Sequence, residues 1–185
     1  MSNTQARSIR PLVALTALLF GALAPCAAWA KSPRIPEPTH LGMGLGIGSL
    51  AYGLSAKYYI DSTGSIQGNM GIQPTQSRSR NGDIFAIGAD YLFEFGAFAS
   101  ANDIDLAIGI GPGVGFAVST LGYAAFDVNA CFSAQILFHE LPVDFAVEYR
   151  PAIRLKSSAL YDDPGRLVYT LGNFGVQLRY YFSMD

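Results

Sequence analysis

The sequence has few charged residues and, after its first thirty residues, no long apolar run. Charged residues make up 14% of the chain, whereas hydrophobic residues make up 50%. A soluble protein usually carries about 25% charged residues. A membrane-spanning helix needs about 20 consecutive apolar residues, and glycines or acidic residues interrupt every later candidate. The apolar residues are instead spread in alternation, which is typical of strands that cross a membrane.

Cysteine and histidine are also scarce. Cys131 is the only cysteine after residue 30, so no intramolecular disulfide is expected, and we predict a buried free thiol. The two histidines, His40 and His139, are interpreted as solvated turn residues. Because no Cys/His cluster has the spacing of a metal site, the sequence predicts neither a metal ion nor a cofactor.

The first thirty residues have the three parts of a secretory signal peptide. Arg7 and Arg10 form a basic start, residues 12–23 are apolar, and Ala28-Trp29-Ala30 is an A-x-A cleavage site. The sequence therefore predicts removal of residues 1–30. A retained membrane anchor is the alternative.

A lipoprotein is a second alternative for this segment because of Cys26, but Pro25 occupies the position before it, where a small residue belongs. Cleavage after Ala30 removes two basic residues and no acidic ones, so the mature net charge is about −4. With no basic patch, nothing points to nucleic acid. Residues 31–40 are polar and proline-rich and are predicted to form a periplasmic leader.

Every well-patterned segment of residues 41–182 alternates with a period of two, and no convincing helical stretch occurs. The fold class predicted is an all-β, eight-stranded antiparallel up-and-down transmembrane β-barrel, followed by a tail at 183–185. The strands are predicted at 41–49, 52–61, 65–73, 83–95, 103–118, 125–138, 143–155 and 166–182.

The seventh segment shows the alternation most clearly. Its apolar face consists of Val143, Phe145, Val147, Tyr149, Ile153 and Leu155, and its polar face of Asp144, Glu148, Arg150 and Arg154. The sixth and eighth segments repeat the pattern. Because a soluble barrel would carry many more Lys and Glu on its wet face, we predict that the apolar faces meet lipid. A lipocalin-like soluble barrel is the alternative.

Loop lengths predict the orientation. With a periplasmic N-terminus, the polar segments 73–82 and 156–165 are outer loops, whereas 61–64 and 139–142 are short inner turns, as is usual in these barrels. The inner connection at 96–102 is longer than expected. The even strands end in aromatic residues, as an interfacial girdle requires. The girdle residues predicted are Tyr58, Tyr91, Phe93, Phe138, Tyr180 and Phe182, with Phe85, Phe116, Tyr149 and Tyr169 near the opposite rim.

The polar faces predict a plugged lumen. An eight-stranded barrel has an interior just wide enough for side chains, and charges of opposite sign can pair there, since an unpaired buried charge is costly. The predicted lumen charge network consists of Lys57, Asp90, Asp127, Asp144, Glu148, Arg150, Arg154 and Arg179. A pair of catalytic carboxylates at Asp144 and Glu148 is the less favoured reading, because two arginines share their face.

Two sets of alternating glycines, at 42–48 and 109–115, are predicted to line the lumen as two bare walls that face each other. They leave room for the long side chains of strands two, seven and eight. A nucleotide-binding motif would need a following helix, so it is disfavoured; a cavity for a small ligand stays open. Pro112 and Pro151 lie inside predicted strands, and we expect bulges there or strand portions above the membrane.

The mature chain resembles the small eight-stranded outer-membrane barrels of the OmpX and OmpA-barrel type, and a compact spirochaete-type barrel family. The resemblance rests on segments 53–60 (GLSAKYYI), 89–95 (ADYLFEF) and 175–182 (GVQLRYYF), and on the glycine-rich fifth strand. It implies that Gly175, Tyr180 and Phe182 belong to a C-terminal signal read by the barrel assembly machinery. Typical members stop at the final aromatic residue, whereas three residues follow Phe182 here.

Three classes of function remain. The first is a monomeric structural or surface-interaction barrel in the bacterial outer membrane, with outer-membrane lipid around it and an extracellular partner at loops 73–82 and 156–165. Tyr161, Asp162 and Asp163 are its contact candidates, and a solvated turn at 163–165 is the alternative. The second class is a narrow channel or small-ligand binder. The third, an enzyme acting on lipid A, is disfavoured because both histidines are predicted to be periplasmic.

Overall fold

The computed structural model describes residues 40–48, 51–73, 83–101, 103–119, 122–138, 141–158 and 163–183. The predicted signal peptide with its cleavage site, the leader before His40, and Cys26 therefore lie outside the described residues. The same holds for His139, for Tyr161 and Asp162, and for nearly all of loop 73–82.

The alternation of side chains with a period of two makes these segments strands. The strands are β1 (His40–Gly48), β2 (Tyr52–Tyr59), β3 (Gly64–Gln73), β4 (Ile84–Ala101), β5 (Ile104–Ser119), β6 (Tyr123–Phe138), β7 (Val143–Tyr149), β8 (Ala152–Ser158), β9 (Asp163–Thr170) and β10 (Phe174–Ser183). The part of the chain that the structure describes holds no helix that is long and apolar enough to cross a membrane.

The strands close into one antiparallel barrel. β7 and β8 both pair with β6 in a single register and form the seventh barrel strand. β9 pairs with β8 and β10 pairs with β7, so these two form the eighth barrel strand. β1 pairs with both β2 and β10, which closes the ring. The predicted eight-stranded antiparallel barrel is confirmed.

The barrel has two ends, named here by their connections. The turn end carries the connections 60–63, 102–103 and 139–142, and the loop end carries 49–51, 74–83, 120–122 and 159–162. At the turn end, the Thr63 N–H and hydroxyl donate to Asp61 Oδ1 at 2.7 and 2.9 Å. These bonds hold the pKa of the Asp61 carboxyl below its usual value and fix the β2–β3 turn.

The side chains are sorted as the alternation predicts, with apolar residues outside and polar residues inside. On the outer face of β10, for example, Val176, Leu178 and Tyr180 are exposed, whereas the intervening Gln177 and Arg179 are buried. The same sorting holds in β6 and through β7 and β8. The barrel therefore has a charged interior and an apolar surface.

The two prolines behave differently. At Pro151 the seventh barrel strand is interrupted between Tyr149 and Ala152, and its register against the eighth strand shifts. The extra residue lies in the eighth strand, at Leu171–Asn173, as a bulge. At Pro112, β5 continues: its pairing with β6 runs through the proline without a shift, and only its pairing with β4 skips Pro112 and Gly111. The expectation of a bulge was wrong there, because one missing N–H removes a single ladder bond.

Several predicted boundaries were wrong. The expected long inner connection at 96–102 belongs to β4, which runs to Ala101 and absorbs two extra residues between Phe95 and Ala99. The predicted outer loop 156–165 is shorter, since β8 reaches Ser158 and β9 begins at Asp163, so the alternative turn at 163–165 is strand. β1 begins at His40, inside the expected leader, and β10 includes Ser183.

Candidate functional site

The barrel interior brings together all eight predicted lumen charges. Each of them is buried, and Lys57, Asp144 and Arg179 have almost no exposed surface. The interior also contains Glu94, which the sequence analysis did not single out. Three groups of contacts can be distinguished along the lumen, and the first two lie nearest the turn end.

The first group surrounds Lys57. Its Nζ lies 2.7 Å from Glu94 Oε1 and donates to Gln135 Oε1 at 2.8 Å. Gln135 Nε2 in turn donates to Glu94 Oε2 at 3.0 Å, and the Ser65 hydroxyl donates to Glu94 Oε1 at 2.6 Å. The Tyr59 hydroxyl completes the set with a bond to Gln135 Oε1 at 3.3 Å. Every polar end of Gln135 is thus used, and the group joins β2 to β6 across the lumen.

The second group is built on Arg179 of β10. Its Nε and Nη2 donate to the two oxygens of Asp144 at 3.0 and 2.9 Å, a bidentate geometry, and the Tyr181 hydroxyl donates to Asp144 at 2.8 Å. Arg179 Nη1 donates to Gln67 Oε1 at 2.5 Å, and Gln67 Nε2 donates to Glu148 at 2.7 Å. Gln67 lies on β3, so these bonds also cross the lumen.

The third group has Arg150 at its centre. Its Nη2 lies 2.9 Å from Asp90 Oδ2 and 2.7 Å from Glu148 Oε2. With the Asn69 amide oriented to satisfy its neighbours, the Asn69 carbonyl also accepts from the guanidinium at 2.8 Å. Arg150 Nε is buried and has no hydrogen-bond partner among the described residues. Arg150 therefore ties β7 to β4 and β3, and it forms the floor of the more open half of the lumen.

A cavity lies between this floor and the loop end. The space in it that the centre of a water molecule can reach is about 20 Å³, which is enough for one or two waters. Asn129 and Gln177 line it, and each donates its amide N–H to a carboxylate, Asp90 at 2.9 Å and Glu148 at 3.1 Å. Because carboxylates only accept, this fixes both amides with their N–H groups toward the carboxylates. Beside the cavity, Arg154 binds Asp127 through two bonds of 2.6 Å.

The glycine walls hold neighbouring side chains close to the backbone. A methyl group at Gly42 would lie 2.6 Å from the Tyr181 ring, and one at Gly46 would overlap Gln177 Oε1. One at Gly113 would overlap Asp90 Oδ1. β10 supplies the side chains nearest to Gly42 and Gly46, and β4 and β6 supply those nearest to Gly113. The expectation that strand eight uses this room is therefore correct, whereas that for strands two and seven stays a prediction.

The predicted girdle residues lie on the outer face near the turn end. Tyr91 and Phe93 make an edge-on contact with ring centres 5.0 Å apart, and Tyr180 and Phe182 do the same. Phe138 is exposed, and Tyr58 is half-buried. Gly175 lies on the inner face, opposite Glu148. Their roles in lipid contact and assembly stay predictions.

The sequence analysis missed Glu94, Gln67 and Gln135 as members of the network. Glu94 belongs to the segment YLFEF, where the aromatic pattern drew attention away from the single acid. Its signal was available, because Glu94 lies four residues from Asp90 and therefore on the same face of a strand. Cys131 lies on the lumen face, fully buried and free, as expected.

These features define the class of the protein. An apolar surface around a charged, hydrogen-bonded interior reverses the arrangement of a soluble barrel, and closure leaves no free sheet edge within the lipid. The chain is an eight-stranded outer-membrane β-barrel protein.

Comparisons with known proteins add little to this assignment. The crystal structure of Ail, the attachment invasion locus protein of Yersinia pestis, matches with 14% identity over 77% of this chain and 95% of that chain, at a TM-score of 0.31. This structural similarity is too weak to support an assignment, so the fold rests on the strand pairing described above. No protein-family model matches the chain, and no curated protein matches it.

Proposed function

We propose that this protein is an integral outer-membrane barrel whose lumen is closed to ions and solutes, and that it serves a structural or surface-interaction role through its loop end. One observation carries the proposal: hydrogen bonds between charged and amide side chains connect strands on opposite walls of the lumen at several levels. They include Lys57 to Gln135, Gln67 to Glu148, and Arg179 to Gln67.

These links make opening costly. A permeating ion would have to break the bonds by which Lys57 and Arg179 reach across the lumen, and both side chains are fully buried. Losing a hydrogen bond to a buried charged group costs about 1.5–3 kcal/mol for each bond. Such a lumen stabilises a barrel rather than conducting.

The proposal includes the route to the membrane. Residues 1–30 act as a signal peptide cleaved after Ala30, and the segment with Gly175, Tyr180 and Phe182 is read by the barrel assembly machinery. In the membrane the protein is a monomer surrounded by lipid, without enzymatic activity and without nucleic-acid partners. Contacts with an extracellular partner would involve residues 74–82 and the short connection at 159–162.

Conductance in a planar lipid bilayer tests the closed lumen. The refolded mature chain is expected to give no stable openings, because the bonds of Lys57, Gln67 and Arg179 cross the lumen. A general porin reconstituted in the same lipid serves as the positive control, and heat-modifiable migration on a gel shows that the barrel is folded in the sample. Stable, reproducible openings from folded barrel would overturn the proposal.

A small-ligand-binding barrel is the second candidate, because polar side chains line the cavity at the loop end. The cavity has room for one or two waters and stops at Arg150, so a ligand would displace those waters and would enter and leave by the same side. Ligand binding and a closed lumen are compatible, and the two can be tested separately.

A further inference from the structure

Two basic residues lie directly opposite each other at the loop end. Lys156 of β8 pairs with Arg166 of β9 in the antiparallel ladder, so both side chains project from the same face. That face is the inner one, because Arg154, two residues before Lys156, is buried inside the barrel. Lys156 is half-buried and Arg166 is exposed. The mouth of the barrel is thus lined on one side by three cations.

Among the residues whose side chains are described, these cations have too few counter-charges. Asp127 of β6 is the acid on the neighbouring strand, and both of its oxygens are taken by Arg154. Asp90 and Glu148 lie deeper, and both are bound to Arg150. Among the described side chains of β6, β8 and β9, three cations therefore accompany one acid, and Lys156 and Arg166 form no ion pair with it. Like charges directly opposite on a sheet are destabilising.

An apolar surface begins directly beside Lys156. Ala125 of β6 lies opposite Lys156 in the ladder, and with Tyr123 it belongs to a buried apolar cluster that extends to β4 and β5; its other members are Ala51, Ile84, Ala86 and Ala117. A cleft lined by charges of one sign beside a low-dielectric wall concentrates the field and attracts a counter-ion. The mouth thus combines an excess of cations on β8 and β9 with an apolar neighbour that strengthens their attraction for an anion.

We propose that the mouth of the barrel binds a dianionic phosphate group between Lys156 and Arg166. Phosphate suits the site in charge, since it carries about −1.5 to −2 at neutral pH and offers three acceptor oxygens. The Arg166 guanidinium can donate two parallel bonds to it, and Lys156 supplies a compact charge opposite. Because both side chains face inward, the site accepts a soluble phosphate or phosphomonoester rather than a lipid phosphate beside the barrel.

The test uses the refolded mature chain in a maltoside detergent that contains no phosphate. Inorganic phosphate is titrated at constant ionic strength, and binding is followed by calorimetry and by the thermal unfolding midpoint. Saturable binding is expected. At a phosphate concentration about five times the dissociation constant, the unfolding midpoint should rise by about 2–4 °C. A parallel titration with micelles doped with a phosphate-headgroup lipid separates the two sources of phosphate.

Variants at Arg166 distinguish the site from a general salt effect. Arg166→Gln should raise the midpoint in chloride, because it removes the repulsion with Lys156, and should weaken phosphate binding by about tenfold. Arg166→Lys keeps the charge and should bind within a few-fold of the unmodified chain. If Arg166→Gln merely destabilised the fold, the midpoint in chloride would fall. Loss of a phosphate site is therefore distinguished by a rise of the midpoint in chloride together with weaker phosphate binding.

The proposal is overturned if phosphate does not bind, if Arg166→Gln binds phosphate as tightly as the unmodified chain, or if only the lipid-borne phosphate binds. None of these results bears on conductance. A closed lumen without phosphate binding would reject this inference alone, whereas stable openings together with phosphate binding lost in Arg166→Gln would reject the proposed function alone.

Discussion

The two halves of the barrel interior differ in how densely their polar side chains are bonded to one another. In the turn-end half, Gln135 and Gln67 use both ends of their amides, and Lys57 and Arg179 are fully buried between partners. In the loop-end half, Asn129 and Gln177 each donate to one carboxylate, and a cavity lies between the walls. The first half is a filled core, and the second is a partly open chamber.

The difference matters for the proposed function. A densely bonded polar network in a low-dielectric interior is rigid and costly to break, which is what the proposed closed lumen requires of the turn-end half. The open half can exchange partners, because water or a ligand can replace a bond that a side chain gives up. Substitutions of similar chemistry should therefore cost more near the turns than near the loops.

The largest effect is expected from Arg179→Met. Removing the guanidinium leaves Asp144 buried with only the Tyr181 hydroxyl, and should lower the free energy of unfolding by about 3–5 kcal/mol. Arg154→Met removes an equally bidentate partner from Asp127, but Asp127 lines the cavity, where water can reach it, so a loss of about 1–3 kcal/mol is expected. Denaturant unfolding in lipid vesicles measures both.

The double variant Asp144→Leu with Arg179→Met is the control for this pair, because it removes both charges together. It should recover most of the loss in Arg179→Met. If Arg154→Met proved as costly as Arg179→Met, the distinction between the two halves would be wrong.

A smaller effect is expected from two glycines of the same strand, β5. A methyl group at Gly111 would overlap the Tyr91 carbonyl oxygen of β4, which is backbone and cannot move aside. Gly111→Ala should therefore destabilise the barrel by about 1–3 kcal/mol. Gly115 lies nearer the loop end, where a methyl group would lie 3.5 Å from the Asp127 side chain.

Gly115→Ala should accordingly unfold at nearly the same denaturant concentration as the unmodified chain. Heat-modifiable migration after refolding shows whether each variant closes its barrel. Equal behaviour of the two variants would mean that the packing of the two halves does not differ in the way described.

The smallest effect is expected from a matched pair of buried glutamines. Gln135→Leu removes bonds to Lys57, Tyr59 and Glu94, whereas Gln177→Leu removes one bond to Glu148, which keeps Arg150 and Gln67. Gln135→Leu should cost about 1 kcal/mol more than Gln177→Leu. The difference in unfolding midpoints, measured in one detergent, checks this, and a larger loss in Gln177→Leu would contradict it.

Much of the fold could be predicted from the sequence because a closed barrel imposes a period of two. In the seventh barrel strand, apolar Val147 and Ile153 and charged Glu148 and Arg154 point to opposite sides as predicted. Residues 96–102 were misjudged because small residues such as Ala97 and Ala99 carry little pattern. Lys156 was assigned to a loop because serines follow it, and pairing with β9 overrides that local preference.

The contacts of the interior could not be predicted in the same way. Alternation places Glu94 and Asp90 on one face, but it does not say that Lys57 meets the first and Arg150 the second. Those choices depend on the stagger between strands, which is set by the closing pair of β1 and β10 and by the two irregular positions near Phe95 and Leu171. The distances between walls follow from that stagger.

The bulge at Leu171–Asn173 has a further consequence. In β10, on the turn-end side of the bulge, odd-numbered residues face inward. In β9, on the loop-end side, even-numbered residues face inward, so the eighth barrel strand carries two phases of alternation. Losing one residue here would turn β9 over, presenting Leu167 and Tyr169 to the lumen and Arg166 to the outside. The outer part of this strand can therefore change in length only by two residues at a time if its pattern is to be kept.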